Sequence, residues 1–337
     1  MKSARLTAQR HIEIVEVPEP KIQNEHEVLV RVKSVGICGT DLHTFKGERD
    51  DTVYPLVMGH ELSGVVEAVG ASVTRVKPGD SVIYDPVNSC GHCKTCESGH
   101  ENVCSDVKCF GVQMNGGFQE LITVEDSHLY PFKKGIPYNR AALGEPFSIA
   151  ANIVAKAQIQ PGDKVVIFGA GTIGIATLFA ARQYDAFIIV SDVADTKLSI
   201  AKNFGADAVI NSAKEDLQSA LSEYADGGVN VVIDAVGIAP LFEQAVKIAA
   251  PCARIVEIGF DGRTAAIAPV DLTKKELMIL GSRMNCHRFD TIVEWLESGV
   301  ITDQMISQVY PLEQLQQAFE DTLKNGGQWL KTMIEIG

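Results

Sequence analysis

KVVIFGAGTIG, residues 164–174, places a short run apolar on both faces directly before three glycines spaced G-x-G-x-x-G. A run of that length suits a buried parallel strand, and TIGIATLFAA beyond it suits a helix. A lone glycine triplet is a weak signal, but one set between a buried strand and a helix is much stronger. Gly169 permits the tight turn, and Gly171 lets backbone approach a pyrophosphate resting on the helix N-terminus. Gly174 lets helix and strand pack closely, with Thr172 and Ile173 completing the loop. Asp192 ends the next strand, FIIVSD, 18 residues beyond Gly174. A carboxylate there binds both ribose hydroxyls of NAD and repels a 2′-phosphate, and the following VADTK holds no Arg. The alternative is a strand–turn–helix with no ligand. Either way, the apolar run 165–181 is interrupted by glycines and is no membrane span.

Outward from this stretch the same alternation repeats. Strands FIIVSD, DAVIN, VNVVIDAVG, RIVEIGF and LMILGSR alternate with helices TKLSIAKNFG, EDLQSALSEYA and LFEQAVKIAA. Helix AANIVAKAQI precedes them. This pattern predicts a doubly wound parallel sheet, a Rossmann-type domain over 149–283. Residues before about 130 read differently. HIEIVEV, EVLVRVKSV, LSGVVEAVG, DSVIYDPV and FQELITV alternate apolar and polar, the pattern of half-buried antiparallel strands. After Arg283 come helix RFDTIVEWLESG, strand ISQVYPL, helix EQLQQAFEDTL and strand KTMIEIG. That tail is expected to return to the first domain, giving 1–148 completed by 284–337.

The length, 337 residues, fits about two domains of roughly 150 each. Lys plus Arg is 30 against 43 for Asp plus Glu, a net charge of −13. A phosphate backbone would be repelled, so nucleic acid is not an expected partner. MKSARLTAQRHIEIVEVPEP lacks the apolar core of a signal peptide, and a cytoplasmic, reducing setting is expected. Eight cysteines there point to metal before disulfides. Cys90, Cys93, Cys96 and Cys104 form C-x2-C-x2-C-x7-C, the donor set of a closed structural zinc site. A zinc ribbon or an iron–sulfur cluster also uses close cysteines; the acidic charge argues against the first and the spacing against the second. Cys109, Cys252 and Cys286 have no partner spacing and read as ordinary thiols.

The second metal candidate lies in VGICGTDLHTFKGERDDTVYPLVMGHE, residues 35–61. Cys38, His60 and Glu61 offer sulfur, nitrogen and oxygen, three protein ligands that leave a fourth position open, as catalytic zinc requires. A thiol in an apolar run and a polar GHE loop are also compatible with simple burial. Thr40 and His43 could pass a proton to solvent, and Asp41 could fix the His60 tautomer from behind.

With these features in this order, the chain resembles the zinc-dependent medium-chain alcohol and polyol dehydrogenases from end to end. The similarity is strongest to their sorbitol, threonine and sugar-acid 5-dehydrogenase branch. It is carried by ICGTDLH (37–43), GHELSGVVEAVG (59–70), KPGDSV (77–82), the four-cysteine lobe, GGFQE (116–120), EPFSIA (145–150) and GAGTIG (169–174). The resemblance implies a GroES-like, mostly β catalytic domain clasping a Rossmann NAD(H) domain, with the active cleft at their junction. It implies two Zn2+ per subunit: a catalytic ion on Cys38, His60 and Glu61, with Glu145 binding directly or through water, and a structural one on the four cysteines. Cofactor contacts would come from Gly169, Gly171, Thr172, Ile173, Gly174, Asp192 and Gly259. Thr40 and His43 fall on proton-relay positions. Family members are homodimers or homotetramers. The Arg-Tyr substrate pair of sorbitol dehydrogenases is replaced here by Met284 and Asn285, with Arg283 one residue earlier. Arg283 and Asn285 are therefore candidates for a substrate carboxylate, the other reading being an Arg on a subunit edge. The expected reaction is hydride transfer from a secondary hydroxyl of a polyol or sugar acid to NAD+. The first substrate expectation is C5 of a hexonate such as L-gulonate, L-galactonate or L-idonate. The alternatives are a hexitol or L-threonine dehydrogenase, or a non-catalytic zinc- and NADH-binding sensor.

Overall fold

The computed structural model describes residues 1–259 and 262–337. It divides into two compact units, Met1–Ser148 with Asn285–Gly337, and Ile149–Met284.

The first unit is built from β1 (Lys2–Ala8), β2 (His11–Glu16), β3 (Glu27–Gly36), α1 (Gly39–Phe45), β4 (Glu61–Val69), β5 (Ser81–Tyr84), β6 (Val87–Asn88) and α2 (Lys94–Glu97). It continues through β7 (Lys108–Cys109), β8 (Leu121–Glu125), β9 (Leu129–Phe132), α3 (Tyr138–Ala142) and the start of α4 (Gly144–Ala157). Its main sheet runs β16 (Ile306–Pro311), β17 (Lys331–Glu335), β3, β4, β5 and β9, with β8 also pairing β3. The final members are the late elements α10 (Phe289–Ser298), β16 (Ile306–Pro311), α11 (Leu315–Lys324) and β17 (Lys331–Glu335). β3 shows why the sheet forms: in EVLVRVKSVG every second residue from Val28 is buried, the period-two pattern of a strand with one face on the core. α11 covers that core with Leu315, Ala318 and Phe319 at helical spacing. Phe319 meets Phe45 and Phe118 with ring centroids 5.0 and 6.0 Å apart.

The second unit contains β10 (Lys164–Phe168), α5 (Thr172–Ala181), β11 (Phe187–Asp192), α6 (Asp195–Asn203), β12 (Ala208–Asn211), α7 (Leu217–Leu221) and β13 (Val229–Asp234). It ends with α8 (Ala239–Ile248), β14 (Ala249–Glu257), α9 (Pro269–Thr273) and β15 (Met278–Gly281). All pairings in its sheet, ordered β12-β11-β10-β13-β14-β15, are parallel. β10 is buried from Val165 to Phe168 on both faces, and α5 is apolar around most of its surface; each is sandwiched in the core. Among the described residues no helix is long and apolar enough to cross a membrane.

Three elements differ from the sequence reading. The helix expected at AANIVAKAQI begins at Gly144, so Glu145 lies in its first turn. Gly144 permits this because a Cβ there would meet Ile292 at 2.9 Å. The helix expected over EDLQSALSEYA is reduced to α7, capped by Asp216, whose side chain accepts from Ser219 N–H. The strand expected over 254–260 is observed as β14, and Phe260 lies outside the described residues.

Candidate functional site

Antiparallel pairing of β3 with β4 sets Gly36 opposite Glu61. A Cβ on Gly36 would lie 2.1 Å from Glu61 Oε2, so only glycine leaves room for this carboxylate. Cys38 follows as the N-cap of α1. Its backbone N–H donates to Asp41 Oδ2 at 2.9 Å, and Asp41 Oδ1 accepts from Gly59 N–H at 3.3 Å. The same Oδ1 stands 3.7 Å from His60 Nδ1, a buried nitrogen with no hydrogen-bond partner among the described residues. Asp41 thus ties the thiol segment to the imidazole segment. The donor atoms of Cys38, His60 and Glu61 all lie within 4.8 Å of one another.

Lys331, the first residue of β17, is the member of this site that the sequence reading missed. Its Nζ donates to both Glu61 oxygens, at 2.6 and 2.7 Å, and to the Ile37 carbonyl at 3.1 Å. Burial alone would pull its pKa down, but Glu61 and Cys38 hold it above the ordinary range. No local motif marks a lysine 270 residues from its partner; only sheet pairing brings them together.

Glu145 stands outside the three-residue group but shares its buried surroundings. Burial pushes its carboxyl up to about 8; His60 pulls it down, while Glu61 and Cys38 push it further up. Burial and then Glu61 likewise push the Cys38 thiol up to about 12. Three groups with raised pKa (Cys38, Asp41 and Glu145) therefore lie beside the Lys331–Glu61 pair. A divalent cation is the charge that would favour ionisation of those three, so the residues present fit zinc. Thr40 and His43 share α1 at i, i+3 spacing. Thr40 is half-buried, whereas His43 is exposed and its Nδ1 lies 2.6 Å from Glu48 Oε2. Glu48 is a second residue that sequence reasoning passed over.

In the cysteine lobe, Cys93 Sγ lies 3.4 Å from Cys96 Sγ and 3.8 Å from Cys104 Sγ, and Cys90 and Cys96 sulfurs are 3.9 Å apart. A zinc ion ~2.3 Å from each sulfur would give tetrahedral edges of about 3.8 Å. Hydrogen bonds from the Thr95 hydroxyl and the Cys96 N–H pull the Cys93 thiol down to about 5. Cys104 Sγ accepts from the backbone N–H of Asp106 at 3.3 Å. Four sulfurs at these separations fit an all-sulfur metal site.

In the second unit, Gly169 has φ +88°. A Cβ on Gly174 would sit 1.8 Å from the Gly169 carbonyl oxygen, whereas one on Gly171 would meet nothing within 4 Å. Asp192 Oδ2 accepts from Ala170 N–H at 2.7 Å and Oδ1 from Ala194 N–H at 2.9 Å, so the glycine loop fixes the carboxylate. Gly259 packs against Gly237, where a Cβ on either would lie 2.0 Å from the other's Cα. The substrate candidates diverge. Arg283 is exposed, whereas Asn285 is buried and donates to Asp85 Oδ1 at 3.0 Å.

The alcohol dehydrogenase GroES-like domain family matches residues 24–134, and the zinc-binding dehydrogenase family matches 172–298. The starvation-sensing protein RspB of Escherichia coli K12 is 35% identical, covering 99% of this chain and 100% of its own. L-galactonate-5-dehydrogenase of the same strain is 31% identical over 95% and 94%. A crystal structure of RspB from E. coli CFT073 complexed with NADH superposes with a TM-score of 0.93 at 33% identity, covering 99% of both chains.

Proposed function

Since this chain belongs to the zinc-dependent medium-chain alcohol and polyol dehydrogenases and is an NAD-dependent oxidoreductase of that family, we propose that it oxidises a secondary hydroxyl of a hexonate at C5. The observation that carries the chemistry is the Cys38–His60–Glu61 cluster with Asp41 behind it. The likeness to L-galactonate-5-dehydrogenase supports the hexonate.

Zinc supplies Lewis acidity toward a hydroxyl oxygen, and NAD+ supplies the hydride acceptor. The chain's residues do the rest. Cys38, His60 and Glu61 would hold the ion, with Asp41 behind the His60 ring, 3.7 Å from its Nδ1. Thr40 and His43 carry the proton outward, with Glu48 holding the His43 ring at the surface. Glu145, its carboxyl raised toward neutrality, serves as a labile neighbour able to keep a proton. Arg283 is the candidate partner for the hexonate carboxylate, since the Asn285 amide is committed to Asp85. The eight cysteines, none in a disulfide, support a cytoplasmic setting.

The test is NADH formation from L-gulonate, L-galactonate and L-idonate beside the matching hexitols and L-threonine. Turnover should favour hexonates and vanish on chelation. If hexitols or L-threonine alone react, the carboxylate assignment fails. If no secondary alcohol reacts while NADH binds, the sensor reading, which the name of the RspB relative favours, replaces catalysis.

We also propose a homo-oligomer joined along β15. This strand ends its sheet and exposes Met278 and Ile279, an unpaired apolar edge of the kind soluble proteins rarely leave uncovered. Wild-type protein should sediment as a dimer or tetramer, and Ile279→Lys should shift it to monomers; a monomeric wild type would refute this.

A further inference from the structure

A third group of metal-type donors lies in the first unit, apart from both sites above. Glu101, Cys286 and His287 each present a ligand atom within 4.8 Å of the other two. Glu101 sits in the cysteine lobe, in the short turn of 3-10 helix just before Cys104. Cys286 and His287 belong to the segment where the chain re-enters this unit. In sequence Glu101 and the Cys-His pair are far apart, and Cys286 reads as an ordinary thiol.

Two observations distinguish the group from a surface ion pair. Glu101 Oε2 is buried and makes no hydrogen bond among the described residues, although His287 Nε2 stands 2.7 Å away. The two atoms are close without the alignment that an N–H donor needs, whereas two lone-pair donors facing one ion need no such alignment. His287 also holds φ +53° and Met284 φ +50°, a left-handed conformation that non-glycine residues rarely adopt. At His287 this turn sets an imidazole beside the thiol of its own neighbour. Cys286 Sγ lies 3.1 Å from the Gly99 carbonyl oxygen, which anchors it to the same lobe.

We propose that Glu101, Cys286 and His287 form a third divalent-ion site, of zinc type by its mixed S, N and O donors. Three protein ligands leave a coordination position for water. The ion clips the four-cysteine lobe to the returning segment, so lobe and segment move as one when it is bound. The site is independent of the hexonate assignment, because none of its donors belongs to the Cys38 or four-cysteine groups.

The experiment counts zinc per full-length chain by mass spectrometry after equilibrium dialysis across buffered free zinc. Glu101→Gln and His287→Ala should each bind one ion fewer than wild type, or need at least about tenfold more free zinc for the last ion. Cobalt replacing that ion should add thiolate–cobalt absorption in wild type and not in Cys286→Ser. Retained NADH binding and the remaining ions show that each variant is folded. Equal ion counts and affinities in wild type, Glu101→Gln and His287→Ala would overturn the site. NADH-linked turnover is scored separately and bears only on the hexonate reading.

Discussion

Lys331 and Glu61 show how much one side chain can decide. Their charged groups are each 2% exposed, and the ammonium reaches both carboxylate oxygens. Replacing one partner of such a pair leaves a buried charge alone, which costs about 3–5 kcal/mol; replacing both with neutral groups restores most of the loss. Lys331→Met should therefore lower the urea midpoint strongly, and Lys331→Met with Glu61→Gln should recover much of it at matched metal content. If the double variant were as unstable as the single one, the pair would not be what Lys331 stabilises.

The loop between β10 and α5 separates two kinds of glycine within one element. A Cβ at Gly174 runs into the Gly169 carbonyl oxygen, whereas Gly171 opens onto space and has an ordinary φ of −76°. Gly174→Ala overpacks the turn and should destabilise by about 1–3 kcal/mol while weakening NADH. Gly171→Ala should leave unfolding within ~0.5 kcal/mol of wild type and still weaken NADH about tenfold, a loss of about 1.4 kcal/mol in binding. NADH fluorescence titration beside thermal melts separates the two. Unchanged NADH affinity in Gly171→Ala would mean that the pyrophosphate does not approach this backbone. The strand–glycine–helix order and the place of Asp192 were legible in the sequence because local periodicity and turn chemistry write them. The early start of the helix holding Glu145 was not, because the tight contact with Ile292 that only a glycine at 144 tolerates is set by tertiary packing and not by local propensity.

Across the molecule, buried carboxyls shape the response to pH. Asp234 and Glu257 end adjacent parallel strands as register partners. Each keeps one oxygen without a hydrogen-bond partner among the described residues. Burial, and next the Asp234 charge, raise Glu257 from 4.5 to about 7. The folded state thus holds a proton that the unfolded chain has released, and stability falls as pH rises from about 4.5 through about 7. Glu257→Gln should flatten that slope, so its gain over wild type grows across this window and stays constant above it. Urea unfolding at pH 5, 6 and 8 checks the sign, and a gain that shrank with pH would contradict it.

The sequence by itself determined the two-part chain and its chemistry. Alternating periods marked the strands, the glycine triplet marked the dinucleotide loop, and the spacing of Cys90, Cys93, Cys96 and Cys104 marked a metal lobe, because each signal lies within one short segment. Tertiary structure alone decided which distant groups meet: Lys331 with Glu61, Asp234 with Glu257, and Glu101 with Cys286 and His287. Such meetings depend on strand pairing and on the return of the chain. Those are settled by burial of the whole core and leave no trace in the spacing of neighbouring residues.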